Sequence, residues 1–294
     1  MGGLGVISRR HQSFYQSKLR QLSVIGFESM PVRVALNFFF QRGLVMVRSV
    51  IFYVLVSVVF VAALVFSVQP ALAQNTKDSG AERGQVDRVL SRGQQAALTP
   101  DAVLAELLEG NQRFVQDDLT TRNHSARVRE AYAGQFPKAV VLSCLDSRIP
   151  VEDVFDRGVG DIFVARVAGN FVNEDILGSM EFGCHVAGAK LILVLGHTHC
   201  GAVEAAIDDV RLGNITAMLA NIRPAIKESG DFAGKKSSAN PEYVQAVCRQ
   251  NIRRALSQIR NRSTILAGME SKGEIKIIGA YYDLKTGTVS VVDE

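Results

Sequence analysis

The chain has 294 residues, 47% of them apolar and 21% charged, which is enough to bury a full core in one catalytic-size domain and to carry an extra segment. Its formal charge of +4 is uneven: residues 1 to 73 hold seven Arg and Lys against the single acid Glu28, leaving 26 basic and 28 acidic residues, about −2, for the rest. A slightly acidic body excludes the basic footprint of a nucleic-acid-binding protein.

Residues 49 to 69, SVIFYVLVSVVFVAALVFSVQ, carry no charge and are long enough to cross a hydrocarbon core of roughly 30 Å. Arg33, Arg42 and Arg48 precede this run, and Pro70-Ala71-Leu72-Ala73-Gln74 follows it with an A-x-A pattern. Basic approach, apolar core and small residues together read as an export signal within 1–73, cut after Ala73, and place the protein in the periplasm or outside the cell. The alternative is an uncleaved membrane anchor over 49–69. The leader exceeds the usual signal of roughly 15 to 30 residues, so Met30 and Met46 are alternative starts. Residues 74 to 97 are polar with no sustained apolar period and read as a flexible linker, which leaves 98–294 as the folded domain.

Thr99-Pro100-Asp101 supplies an N-cap, a proline at the first helical position and an early acid. Val103, Leu104, Leu107 and Leu108 continue at helical spacing, and Gly110-Asn111 reads as a break before Phe114. Short apolar runs at 139–143, 162–167 and 191–195 alternate with helical patterns, as parallel strands covered on both faces do. A long helix starts at Asn240-Pro241 with Val244, Val247, Cys248, Ile252, Leu256 and Ile259 on one face. Runs at 275–282 and 289–292 flank Lys285-Thr286-Gly287 as a hairpin. The fold class is α/β, a mostly parallel central sheet flanked by helices.

Cys144 stands at the end of the first strand run, and His197 and Cys200 lie just past the end of the third. Ligands of an open parallel sheet bind outside the carboxyl ends of its strands, so these residues point at one crevice. Two thiolates and one imidazole favour zinc, and three protein ligands leave a fourth position open, as in catalytic rather than structural sites. Asp146 and Arg148 put a carboxylate and a guanidinium beside the first thiolate, and Gly196 and Gly201 flank the second segment where the backbone turns tightly.

Cys144-x-Asp146-Ser147-Arg148 followed by Gly196-His197-x-x-Cys200-Gly201 is similar to the double signature of the β-class carbonic anhydrases. The segment from Phe163 to Asn170, Gly110 to Phe114 and Tyr281-Tyr282-Asp283 also resemble family elements, so the likeness runs from about Thr99 to Asp293. It implies the β-carbonic anhydrase fold with an N-terminal helical arm, and one Zn2+ per subunit on Cys144, His197 and Cys200. It also implies reversible hydration of CO2 to bicarbonate and a homodimer or a higher assembly of dimers, with membrane contact only if the leader is uncleaved. Asp146 and Arg148 take the catalytic positions: the guanidinium keeps the carboxylate ionised and oriented to accept a hydrogen bond from the attacking water.

In some members this aspartate becomes the fourth zinc ligand of a closed state. Members with that switch carry a tryptophan three residues before the first zinc cysteine. Val141 stands there and the chain has no Trp, so an open site with Asp146 paired to Arg148 is expected. Arg166 resembles an arginine of both gated and ungated members. Gln135 matches a substrate-side glutamine, Gly201 is assigned to the substrate as well, and Phe163 matches an apolar wall of the CO2 pocket or is a plain strand residue. Phe182 replaces a tyrosine of plant-like members. His199 is a proton shuttle or a loop residue, and Cys184 and Cys248 are buried free thiols or a disulfide pair. Alternative functions on the same scaffold are carbon disulfide or carbonyl sulfide hydrolysis, or a non-catalytic zinc protein; the latter is expected to lack Asp146 or Arg148.

Overall fold

The apolar runs pair into one sheet in the computed structural model, which describes residues 88–293. The leader 1–73, its apolar run 49–69 and residues 74–87 of the expected linker lie outside the described residues. Strands β1 (Ala139–Ser143), β2 (Ile162–Arg166), β3 (Leu191–His197) and β4 (Lys276–Tyr282) run parallel, and β5 (Val289–Val292) is antiparallel to β4, in the spatial order β2-β1-β3-β4-β5. β1 and β3 are buried at every position, which is why their sequences are continuous apolar runs rather than alternating ones. β2, at the edge, is half-buried up to the exposed Arg166. The chain leaves β1 outward to β2 and then returns past β1 to β3. The two connections diverge between β1 and β3, and this divergence opens a crevice at their carboxyl ends.

Ten α-helices accompany the sheet among the described residues. They are α1 (Arg92–Ala96), α2 (Pro100–Val115), α3 (His124–Ala131), α4 (Val151–Val154), α5 (Glu174–Glu181), α6 (Gly201–Ile207), α7 (Gly213–Leu219), α8 (Arg223–Glu228), α9 (Pro241–Arg262) and α10 (Thr264–Ser271), with a π-helical turn over Phe182–Val186 continuing α5. None of them is long and apolar enough to cross a membrane. The expected starts of α2 and α9 are where their caps stand: the Thr99 side chain accepts from the Ala102 amide, and Asn240 from the Glu242 amide. α9 packs on β3 and β4 through Val244, Val247, Ile252, Leu256 and Ile259, all buried. Each such side chain contributes roughly 1.5–3 kcal/mol by leaving water.

Two expectations need correction. Residues 91–97 of the expected linker belong to the folded body: Ser91 and Gln94 form a reciprocal capping box, and the buried Gln95 side chain donates to the carbonyls of Pro137 (2.7 Å) and Ala187 (2.8 Å). Hydrogen bonds rather than apolar periodicity hold this segment, so its polar composition resembles that of a tether. Gly110-Asn111 is not a break either, because α2 runs through it to Val115. A Cβ at Gly110 would stand 2.0 Å from the Phe155 carbonyl oxygen. Buried Asn111 donates to the carbonyls of Val154 (3.1 Å) and Gly287 (2.8 Å) and accepts from the Val289 amide (2.8 Å). The pair is there for close helix approach.

Gly110→Ala must therefore push α2 away from the backbone at Phe155, and we expect a loss of about 1–3 kcal/mol of stability, the usual cost of overpacking. A fall in the urea midpoint at unchanged slope checks it; an unchanged midpoint refutes the close-approach role.

Candidate metal centre

Ser143 pairs with Leu195 across the central strands, so Cys144 leaves β1 beside the end of β3 at His197. The chain then turns through Thr198 and His199 before Cys200 caps α6. His199 lies in the left-handed region at φ 51°, a conformation that costs a non-glycine residue of order 1–3 kcal/mol. Thr198 is held on both sides: its amide donates to the Tyr282 carbonyl (3.0 Å) and its hydroxyl accepts from the Leu284 amide (2.9 Å).

The ligand atoms of Cys144, His197 and Cys200 lie within 4.8 Å of one another, and all three residues are buried. The two sulfurs are 3.9 Å apart, close to the edge of about 3.8 Å of a tetrahedron built on Zn–S bonds of about 2.3 Å. His197 Nδ1 is 2.8 Å from the Thr198 carbonyl. A carbonyl only accepts, so Nδ1 carries the proton and Nε2 presents its lone pair. Nε2 is buried without a hydrogen-bond partner among the described residues, an orphan that a metal ion satisfies. The donors fit zinc.

In the metal-free protein the neighbouring Cys200 thiol, and then burial, push the Cys144 thiol up to about 12. At Cys200 the hydrogen bond to Cys144 lowers the pKa, but the Cys248 thiol and burial outweigh it and also bring it to about 12. Metal binding replaces these thiol protons. Gly169, at φ 86°, donates its amide to Cys144 Sγ (3.2 Å). The carbonyl of Gly169 accepts from the Asn251 side chain on α9 at 2.8 Å. Asn251 escaped sequence reasoning; the only trace it leaves there is a polar residue on the apolar face of a long helix.

Asp146 and Arg148 form a two-pronged pair, Nε to Oδ1 at 2.9 Å and Nη2 to Oδ2 at 2.6 Å, with the Arg148 amide adding a third bond to Oδ1 at 3.0 Å. The guanidinium hydrogen bond outweighs burial and holds the Asp146 carboxyl down at about 2. Arg148 Nη2 also donates to the His199 carbonyl (3.1 Å), and Arg166 donates to the carbonyls of Cys144 (2.9 Å) and Asp146. Asp146 is not one of the clustered donor residues.

The remaining candidates are distributed differently. Gly201 opens α6 beside Cys200, exposed, with open space where a Cβ would stand. Phe163 is half-buried on β2 opposite Val140 and lines a groove of about 620 Å3 with Val140 and Phe182. Gln135 is exposed and precedes β1, at the edge of the sheet opposite Cys144, so a single chain does not bring it to the metal ligands. Its type and neighbourhood match a motif, but motif order carries no information on which edge a residue faces. His199 and His185 are exposed, Val141 is buried, and Cys184 and Cys248 are buried free thiols.

A two-cysteine, one-histidine centre at the switch point of a parallel sheet defines a zinc protein of the catalytic type. The family model described as carbonic anhydrase matches residues 139–289. Carbonic anhydrase 2 of Mycobacterium tuberculosis is 31% identical over 200 residues, covering 66% of this chain and 93% of its own. The carbonic anhydrase of Mycolicibacterium smegmatis is 33% identical over 198 residues, covering 65% and 93%. Among solved structures, the β-carbonic anhydrase CafA of Aspergillus fumigatus superposes with a TM-score of 0.51 at 24% identity, over 66% of this chain and 90% of that one. The chain belongs to the carbonic anhydrase family, and its sheet and flanking helices are those of the β class.

Cys144→Ser, His197→Ala and Cys200→Ser should each lose stoichiometric zinc, because two remaining ligands hold neither affinity nor geometry. Metal analysis of the purified variants decides; one zinc per chain in any of the three refutes the ligand set.

Proposed function

We propose that the chain catalyses the reversible hydration of CO2 to bicarbonate and a proton. The observation that carries this reading is the Asp146 carboxylate, locked by two hydrogen bonds from Arg148, next to the Cys144, His197 and Cys200 donors. Zinc held by these donors supplies a Lewis acid that acidifies a water molecule, as in the three-histidine carbonic anhydrases. Cys144 and Cys200 together contribute two negative charges, which offset the ion's own and leave more of the task to the surrounding residues. Asp146 is suited to that task. With its pKa held low it is an acceptor across the neutral range, and with both oxygens fixed by Arg148 it orients an attacking water by taking its proton in a hydrogen bond.

Phe163 on the apolar side of the groove suits an uncharged substrate, and Gly201 leaves room beside Cys200. Gln135 reaches substrate only when a second copy supplies it, which agrees with an assembly built on homodimers. Export with removal of residues 1–73 completes the reading: the apolar run 49–69 and the small residues Ala71 and Ala73 support it.

Stopped-flow CO2 hydration by the zinc-loaded protein should exceed the uncatalysed rate and collapse on chelation. Arg148→Gln should keep its zinc and lose about 10–100-fold in kcat, the usual cost of removing a group that orients the metal's surroundings. A zinc-loaded wild type no faster than buffer refutes the function.

Export makes Gln74 the first residue of the protein recovered from its host. Mass spectrometry of that protein tests it, and an intact chain in the membrane fraction overturns cleavage.

A further inference from the structure

The amino-terminal edge of the sheet, opposite the metal ligands, holds a second concentration of charge. Arg88, Arg113, Arg122, Arg127, Lys138 and Arg157 line a cavity of about 340 Å3. The carboxylates serving them are few. Glu106 is shared by Lys138 and Arg157 (2.5 Å). Asp156 is shared by Arg113 (2.6 Å) and Arg122 (2.5 Å), and Asp161 pairs with Arg127 (2.6 Å). Glu130 accepts from the amide of Val89 (3.1 Å), which lines the cavity. Among the described residues, these four acids against six cations leave two positive charges over.

Four of the six are largely out of water: the side chains of Arg127, Arg157, Arg122 and Lys138 are only 1%, 5%, 11% and 11% exposed, while Arg113 is 22% exposed and Arg88 stands on the exposed rim. Arginine does not shed its proton. Burial by itself raises the carboxyls of Glu106 and Asp156, but the cations around them outweigh it and keep both below the ordinary range, so each already counts as a full negative charge. Excess buried positive charge without a counter-ion is strongly disfavoured. The cavity also holds an unused donor, because Arg122 Nε is buried with no partner among the described residues.

We propose that this cavity binds a small multivalent oxyanion of the phosphate class. Most guanidinium nitrogens of Arg122 and Arg127 already hold protein oxygens, so the anion is drawn by the surrounding positive charge and by donors such as Arg122 Nε. A dianion cancels the two excess charges where chloride or bicarbonate cancels one, and the volume admits phosphate with a small attached group. The site is separated from the metal ligands by the length of β1, five residues or roughly 17 Å at 3.3 Å per residue. It is therefore distinct from the CO2 site and stands whether or not the hydration reading does.

Isothermal titration of the zinc-loaded full chain with inorganic phosphate, and separately with glycerol 3-phosphate, at ionic strength held constant with chloride, tests this. One saturable site per chain is expected. Arg88→Gln, on the exposed rim, should weaken it about tenfold, the loss of one charge-assisted contact, and Arg122→Gln should weaken it at least as much. Arg88→Gln keeps the test decisive should Arg122→Gln fail to fold. Tighter binding of the phosphomonoester identifies a phosphorylated small molecule as the source, and tighter binding of phosphate identifies the free ion; both support the site. No saturable heat overturns the proposal, as does equal affinity in wild type and Arg88→Gln. Binding lost in His197→Ala but kept in Arg88→Gln overturns it too, by placing the anion on the metal.

Discussion

Ser143 and Leu195 sit opposite each other in the central parallel pair, so Cys144, one residue beyond β1, and His197, the last residue of β3 two positions past Leu195, meet at the carboxyl edge of the sheet. A parallel pair slipped by one residue would turn one ligand into the opposite face. The slip is prevented by burial, since β1 and β3 are covered at every position and any shift would expose part of the core. The centre inherits its geometry from the register, and the left-handed turn at His199 then brings Cys200 round to the same side.

Around that pair the protein builds support from more distant elements. α9 reaches the site through Asn251, whose side chain holds the Gly169 carbonyl while the Gly169 amide meets Cys144 Sγ. Arg148 clamps Asp146 and the His199 carbonyl together, joining the loop after β1 to the loop after β3. Arg166 at the end of β2 holds the carbonyls on either side of Leu145. Three strands and one helix thus contribute to a site whose chemistry rests on five side chains.

The two edges of the sheet differ in charge logic. At the carboxyl edge the donors are soft and the one carboxylate beside them is matched by one guanidinium. At the amino edge, guanidinium groups outnumber carboxylates among the described residues, and Asp156 with no exposed side-chain surface ties α2, the loop after it and the turn before β2 into one unit.

Much of this was legible in the chain. Strands covered on both faces write themselves as short apolar runs, helices α2 and α9 announce themselves by Thr99-Pro100 and Asn240-Pro241, and the ligand trio is named by the spacing of two short motifs. Those signals are local, produced by residues within one strand or one turn of each other. What only the tertiary structure decided involves partners far apart in the chain: Gly110 against the Phe155 carbonyl, Gln95 against Pro137 and Ala187, Asn251 against Gly169, Gln135 at the edge away from the metal ligands, and six cations drawn from residues 88 to 157 into one cavity. Such contacts leave no periodicity and no motif, because the energy that selects each residue comes from a neighbour that only folding brings near.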